Sequence, residues 1–256
     1  MQPFSKLASA TLARVRVLAA DVDDTITSQG KIPSGTIAGF EALEAAGVIV
    51  ALVTGRPAGW AQALAGYLPG VQVAVAENGL VAFDGRGGRR DLGPPRGQEF
   101  FARLAENSAR VRSAYALEIT PDDVFRLFER AFLRPASFDA SALAASQKLV
   151  DPGFEVMASS IHIHVRPSGW GKAEGLLAAL FPIAAEACAT PDESILFVGD
   201  SSNDRSMFAR LRRTSVGVHN VTHFLAELGE DLPAFVTEAE SALGFAEVVR
   251  ALLAAR

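Results

Sequence analysis

The sequence holds one cysteine in 256 residues, Cys188, so an intrachain disulfide is excluded. A nucleophilic thiol would want a base beside it. The Ala-rich surroundings of Cys188 offer none, and it reads as a small core residue in a reducing compartment. No apolar run approaches the roughly 18–20 residues that span a bilayer, which argues against a membrane protein. Basic residues are in the minority, 24 Lys and Arg against 29 Asp and Glu, for a formal net charge of -5. That balance argues against a general nucleic-acid binder. Met1 to Arg14 lacks a long apolar stretch followed by a small-residue cleavage site, so a cytoplasmic location is expected. Internal repeats are absent, as is low complexity beyond alanine richness.

What the chain does have is apolar material: 49% hydrophobic residues, enough for a large core with or without a smaller insert. Val15 to Ala20 reads as a buried strand. Ser34 or Gly35 opens a helix that stops at Gly47. Val48 to Val53 is a second strand, Pro57 to about Gly66 a second helix, and Val71 to Ala76 a third strand. Strand alternating with helix predicts an α/β class, a Rossmann-like parallel sheet with helices on both faces. Leu80 to Phe83 and Arg89 to Leu92 read as a hairpin turning at Asp84-Gly85. Gly93-Pro94-Pro95 then punctuates the chain.

Residues 94–166 change character. The pattern predicts a helix through Phe100, Leu104 and Val111, a weak strand from Ala114 to Ile119, and a helix opened by Pro121. A third helix is expected after a cap at Asp139, followed by paired strands Phe154 to Ala158 and Ile161 to Val165. α/β character resumes with a helix from Lys172 to Leu180, strands Ser194 to Val198 and Thr214 to Val218, and a closing helix to Ala255. The domain reading is a discontinuous core, 1–93 and 167–256, with an inserted α+β cap at 94–166.

The unusual polar residues follow the strands, where open α/β sheets bind ligands. Asp21, Asp23 and Asp24 crowd one strand end, and unpaired acids there repel each other. A divalent cation with oxygen ligands is the natural compensator. Thr54-Gly55-Arg56 ends the second strand, Glu77-Asn78-Gly79 the third, and Asp200 to Asp204 a later one. Phosphoryl transfer needs these types: a carboxylate to attack phosphorus, a second to move the proton, and a hydroxyl and an ammonium to hold the equatorial oxygens. Alternative metal and nucleotide motifs fail. Asp21 to Ile32 carries Ile26 and Ile32 where an EF-hand loop needs Gly and Glu, and Gly169-Trp-Gly-Lys172 is not a phosphate-binding Walker loop.

Asp21-Val-Asp-Asp-Thr25, Thr54-Gly-Arg56, Gly171-Lys172 and Gly199-Asp-Ser-Ser-Asn-Asp204 resemble, in order, the four motifs of the haloacid dehalogenase superfamily of phosphohydrolases. The insert is similar to the C2-type cap of subfamily IIB, which includes Cof-type sugar phosphatases, mannosyl-3-phosphoglycerate and sucrose phosphatases, and phosphomannomutase. The resemblance implies that Asp21 is nucleophile and Mg²⁺ ligand. Asp23 is implied as general acid/base, its backbone carbonyl a further ligand. Asp200 and Asp204 complete the metal set, and Thr54, Gly55, Lys172 and Asn203 hold the phosphate. Arg56, Asn78 and the alternating cap residues His162 and His164 are candidate substrate contacts. An acid at position 23 favours a phosphatase for a small phosphorylated metabolite such as a sugar phosphate, working as a monomer or weak homo-oligomer. A phosphomutase is the alternative, and a non-catalytic phospho-ligand sensor a third reading. Asp24 departs from the motif, where glycine is more usual, and no catalytic role is implied for it.

Overall fold

The computed structural model describes residues 1–93 and 95–256. Pro94, the centre of the expected linker and the first residue of the expected insert, lies outside the described residues. The strands are β1 (Gln2–Pro3), β2 (Val17–Ala20), β3 (Ile49–Val53), β4 (Val71–Ala76), β5 (Val81–Asp84), β6 (Arg89–Asp91), β7 (Arg130–Leu133), β8 (Phe154–Ala158), β9 (His162–Pro167), β10 (Ile195–Gly199), β11 (Ser215–Gly217) and β12 (Phe235–Val236). Nine form one sheet in the order β1-β12-β11-β10-β2-β3-β4-β5-β6. The other three form a second, β7-β9-β8. The large sheet is parallel from β1 through β4 and closes with the antiparallel hairpin β4-β5-β6.

Both faces of the parallel sheet are covered, which is why its central strands read as unbroken apolar runs. Alternate side chains divide between two cores. Leu18, Ala20, Val50 and Leu52 pack with Phe40 of helix Ser34–Ala45 and Phe245 of helix Ser241–Ala254. Val17, Ala19, Ala51 and Val53 pack with Leu176 of helix Lys172–Leu180 and Phe208 of helix Arg205–Arg210. No helix of the described residues is long and apolar enough to cross a membrane.

The second sheet carries helices Gln98–Tyr115 and Ala140–Ser146 around its own core of Leu104, Val111, Phe132, Phe154, Ile163 and Val165. Asp139 caps the second of these helices, its carboxylate accepting from Ala142 N at 2.9 Å. Two local expectations fail here, and one strand was not foreseen. Ala114 to Ile119 is not a strand: the first helix runs to Tyr115 and ends on Ala116 at φ 50°, and only Ile119 makes a bridge, to Phe132. Pro121 opens no helix. A single turn, Asp123–Phe125, forms instead, because Asp122 and Asp123 are spent on tertiary partners, Arg56 and the amide of Ala131. β7 was hidden because Glu129 at its start faces inward and breaks the apolar alternation.

Two glycines set how the core meets the site. Gly79 sits at φ 108°, and a Cβ there would strike the carbonyl of Gly171. A Cβ on Gly175 would strike the backbone of Gly79 in turn. Helix Lys172–Leu180 therefore packs backbone to backbone on the Glu77–Gly79 turn. That approach delivers Lys172, its first residue, to the strand ends.

Candidate active site

Parallel register gathers the motifs. Ala20 of β2 pairs with Val198 of β10 and with Leu52 of β3, so Asp21, Asp200 and Thr54 emerge side by side at the carboxyl edge. Asp21 N is fixed on Val198 O at 2.9 Å and Thr54 N on Val75 O at 2.8 Å. The junction of β10 and β2 is also where the chain order reverses across the sheet, the usual location of a ligand crevice.

Asp21, Asp200 and Asp204 each bring a carboxylate oxygen within 4.8 Å of the others, and all three are buried. Lys172 Nζ lies 2.6 Å from Asp21 Oδ1 and 2.6 Å from Asp204 Oδ1. Three acids thus share one ammonium. Burial pushes the Asp21 carboxyl up to about 7; Lys172 opposes the shift, while Asp204 and Asp23 add to it. Burial, with Asp21 and Asp204, holds Asp200 well above the usual carboxylate range. Burial works against the Lys172 ammonium, but Asp204 and Asp21 outweigh it and keep its pKa above the ordinary lysine value. A cluster with this surplus of buried acid, all hard oxygen donors, fits a small divalent cation such as Mg²⁺. Asp204 is held in place by the amides of Asp200 (2.9 Å) and Ser201 (3.3 Å), and Asp200 by the Thr25 hydroxyl at 3.2 Å.

The carboxylate of Asp23 stands apart from this cluster. It takes both arms of Arg56, Nε at 2.8 Å and Nη2 at 2.7 Å, and the third nitrogen of Arg56 reaches Asp122 of the insert at 3.2 Å. Thr54 is fully buried, and its hydroxyl accepts from Arg56 N at 3.0 Å. Asp24 adopts φ 54°, which explains why glycine would suit the position; its amide donates to Thr27 Oγ1 at 3.0 Å and its carbonyl accepts from Asn220.

Above the strand ends the second sheet closes down on the core. Asn203 Nδ2 donates to Asn78 Oδ1 at 3.1 Å, and Asn78 Nδ2 donates to Glu129 at 3.1 Å. Glu129 also meets His164 Nδ1 at 2.9 Å and pairs with Arg126. Burial opposes the Glu129 charge, but His164, Arg126 and Arg166 pull its pKa down to about 2. Burial lowers His164, against the pull of Glu129. His162 falls to about 3 through burial, aided by His164, Arg126 and Arg56. Both histidines lie on the buried side of β9, and His164 stands beside Gly55. Glu77, at φ 52°, accepts from the amides of Leu127 (2.8 Å), Phe128 (2.7 Å) and Glu129 (3.2 Å), tying the core to the start of β7.

All the residues singled out from the sequence thus lie around one region. Asp21, Asp200, Asp204, Lys172 and Thr54 form its floor. Asn203 and Asn78 link that floor to the insert, where Glu129 carries the contact on to His164. Asp23 and Arg56 form a flank. Sequence reasoning missed Thr25, Asn220, Asp122, Arg126 and Glu129. Thr25 stood inside the first motif and was findable there. Glu129 and its neighbours carried no signal, because a charged residue beside a phenylalanine reads as helix surface.

The comparisons agree with this geometry. Residues 18–88 match a family model described as haloacid dehalogenase-like hydrolase. A phosphoglycolate phosphatase of Aeropyrum pernix is 27% identical over 242 residues, covering 93% of this chain and 94% of that protein. One from Pyrobaculum neutrophilum is 28% identical, covering 93% and 96%. Among solved structures, a Thermoplasma acidophilum protein superposes with a TM-score of 0.71 at 22% identity, covering 93% of this chain and 98% of that one. The sucrose-phosphatase of Synechocystis superposes with 0.64 at 16%, covering 93% and 98%. The enzyme is a phosphatase of phosphorylated small molecules, similar over residues 18–88 to the haloacid dehalogenase-like hydrolases and over nearly its whole length to phosphoglycolate phosphatases.

Proposed function

We propose that the chain is a Mg²⁺-dependent phosphomonoesterase for a small phosphorylated acid and works through an aspartyl-phosphate at Asp21. The observation that carries the reading is the buried cluster of Asp21, Asp200 and Asp204 around one lysine at the switch point of the sheet. Mg²⁺ held by these carboxylates and the carbonyl of Asp23 would supply charge to the phosphoryl oxygens. Asp21 Oδ attacks phosphorus and the ester P–O bond breaks. Asp23 acts as the general acid and gives a proton to the departing oxygen, which requires that it let go of the Arg56 fork. Asp23, now a carboxylate, takes a proton from water as that water attacks the aspartyl-phosphate, which frees orthophosphate and restores Asp21. Lys172, Thr54, the Gly55 amide and Asn203 hold the phosphoryl oxygens. Residues 94–166 act as a cap that excludes bulk water when closed.

The names of the curated relatives put 2-phosphoglycolate first among candidate substrates. Sugar phosphates are the competing class. The test is a phosphate-release screen over phosphorylated acids and sugars with Mg²⁺, repeated with Asp21→Asn. Turnover is expected to vanish in the variant while its melting curve is retained; surviving turnover refutes the nucleophile. Activity that requires a bisphosphate and releases little phosphate would identify a mutase instead.

A further inference from the structure

Arg126, in the cap, is fully buried, yet only one of its three guanidinium nitrogens is used. Nη1 donates to Gly55 O at 2.8 Å, on the loop proposed to hold phosphate, and pairs with Glu129. Nε and Nη2 are buried without a hydrogen-bond partner among the described residues. The neighbouring carboxylate of Asp123 stands 3.9 Å from Nε, beyond hydrogen-bond reach. Nε and Nη2 together form the side-on edge of the guanidinium, whose two parallel N–H groups match the two oxygens of a carboxylate. A buried donor left unpaired costs about 1–3 kcal/mol, so an empty fork of two needs an occupant.

The place of this fork matters. Asp23, the proposed proton donor to the leaving oxygen, is joined through Arg56 to Asp122 of the cap. Asp122, Arg126 and His164 then stand over Gly55 and Arg56, and each carries an unpartnered buried polar atom: Asp122 Oδ1, the Arg126 fork, and His164 Nε2. A leaving group protonated by Asp23 would lie beside this surface, since Arg56 joins Asp23 to Asp122. His164 turns Nδ1 to the Glu129 carboxylate, so Nδ1 carries the proton and Nε2 is an acceptor. Nε2 and Asp122 Oδ1 therefore suit an O–H or water. Only Arg126 offers a site for an anion among these three.

We propose that Arg126 is the specificity residue for the substrate's acid group, its Nε–Nη2 fork receiving a carboxylate one or two carbons from the phosphoester oxygen. This rests on the phosphatase reading above and narrows it to phosphorylated carboxylic acids.

The experiment compares kcat/KM for 2-phosphoglycolate and for ethyl phosphate, which lacks the carboxylate, in the wild type, Arg126→Gln and Arg126→Lys. The wild type is expected to favour the acid on the order of 100-fold, as charged hydrogen bonds imply. In Arg126→Gln that ratio falls toward one, mainly through KM for the acid, whatever the change in absolute rate; Arg126→Lys, which keeps charge without the fork, falls between. Equal loss on both substrates in Arg126→Gln, or a wild type indifferent to the carboxylate, overturns the proposal. The wild type and Arg126→Lys supply the answer if Arg126→Gln does not fold. Binding is read separately, as the melting shift given to the wild type and Arg126→Lys by 3-phosphonopropionate against propylphosphonate. If the wild type hydrolyses nothing, the phosphatase reading fails, and a larger shift from the phosphonopropionate, reduced in Arg126→Lys, still upholds the fork. Equal shifts refute it.

Discussion

Removing divalent metal with EDTA and titrating Mg²⁺ back at several pH values tests the electrostatics of the strand ends. In the metal-free fold, burial raises Asp21 to about 7 and holds Asp200 well above its ordinary value. The folded state therefore keeps protons that the unfolded chain releases near pH 4. Asp21 alone makes the metal-free fold less stable as pH rises from about 4 to 7, by about 4 kcal/mol. A cation entering the cluster must expel that proton, so apparent Mg²⁺ affinity rises about tenfold per pH unit for each proton released and levels off above about pH 7. For one proton, affinity at pH 7 exceeds that at pH 5 by roughly 50-fold, since half the protons are still bound at pH 7. At a fixed Mg²⁺ concentration that saturates throughout, this adds about 2.3 kcal/mol of stabilisation, or roughly 5–9 °C in the melting difference between Mg²⁺ and EDTA. The difference is the quantity to measure, because other buried groups pull in opposite directions. His162, depressed to about 3, makes the fold more stable as pH rises from 3 to 6.5, whereas burial and the charge of Glu129 raise Glu77 to about 7, which acts the other way from 4.5 to 7. Both contributions cancel between paired samples. A Mg²⁺ affinity that stays flat from pH 5 to 7 refutes the argument, since the acids would then be ionised without the metal.

Two further substitutions probe how the site is held. Gly175→Ala places a methyl against the backbone of Gly79, so the Lys172 helix must move; a loss of about 1–3 kcal/mol is expected, with reduced turnover, and an unchanged melting curve contradicts the close packing. Glu77→Ala removes the acceptor for the amides of Leu127, Phe128 and Glu129. Hydrogen exchange at those three amides is expected to quicken at least tenfold, an effect of about 1.4 kcal/mol or more per donor left unpaired; exchange as slow as in the wild type shows that the core does not hold the cap by this carboxylate.

The core side of the site was legible in the sequence because its polar residues interrupt apolar strands. An acid that follows Val17–Ala20 or Ile195–Gly199 has no apolar explanation, and parallel register alone brings Asp21 beside Asp200. The side of the site built around the second sheet was not legible, for a reason seen in residues 122–130. Asp122, Asp123, Arg126, Glu129 and Arg130 have the composition of an exposed helix, and the first two acids look like a helix start. Whether they are exposed depends on closure against the core, which no local pattern encodes. Asp24 shows the intermediate case: its tolerance for a left-handed backbone was foreseeable, but not that its carbonyl would anchor Asn220, 196 residues away.

Asn78 joins the two halves. Its carbonyl oxygen accepts from Asn203 in the loop that carries Asp200 and Asp204, and its amide nitrogen donates to Glu129, which in turn holds His164 and Arg126. An amide is the side chain suited to this place, since it must accept on one side and donate on the other between a neutral donor and a carboxylate. An aspartate would face Glu129 with a second buried charge, and a leucine would leave Asn203 Nδ2 and one Glu129 oxygen short of a partner. The left-handed backbone at Asn78, φ 53°, is compatible with that choice, since asparagine tolerates it better than most residues. Backbone conformation and hydrogen-bond polarity thus select the same residue, at the point where the Asp200–Asp204 loop, the Thr54–Gly55 loop and Glu129 come together.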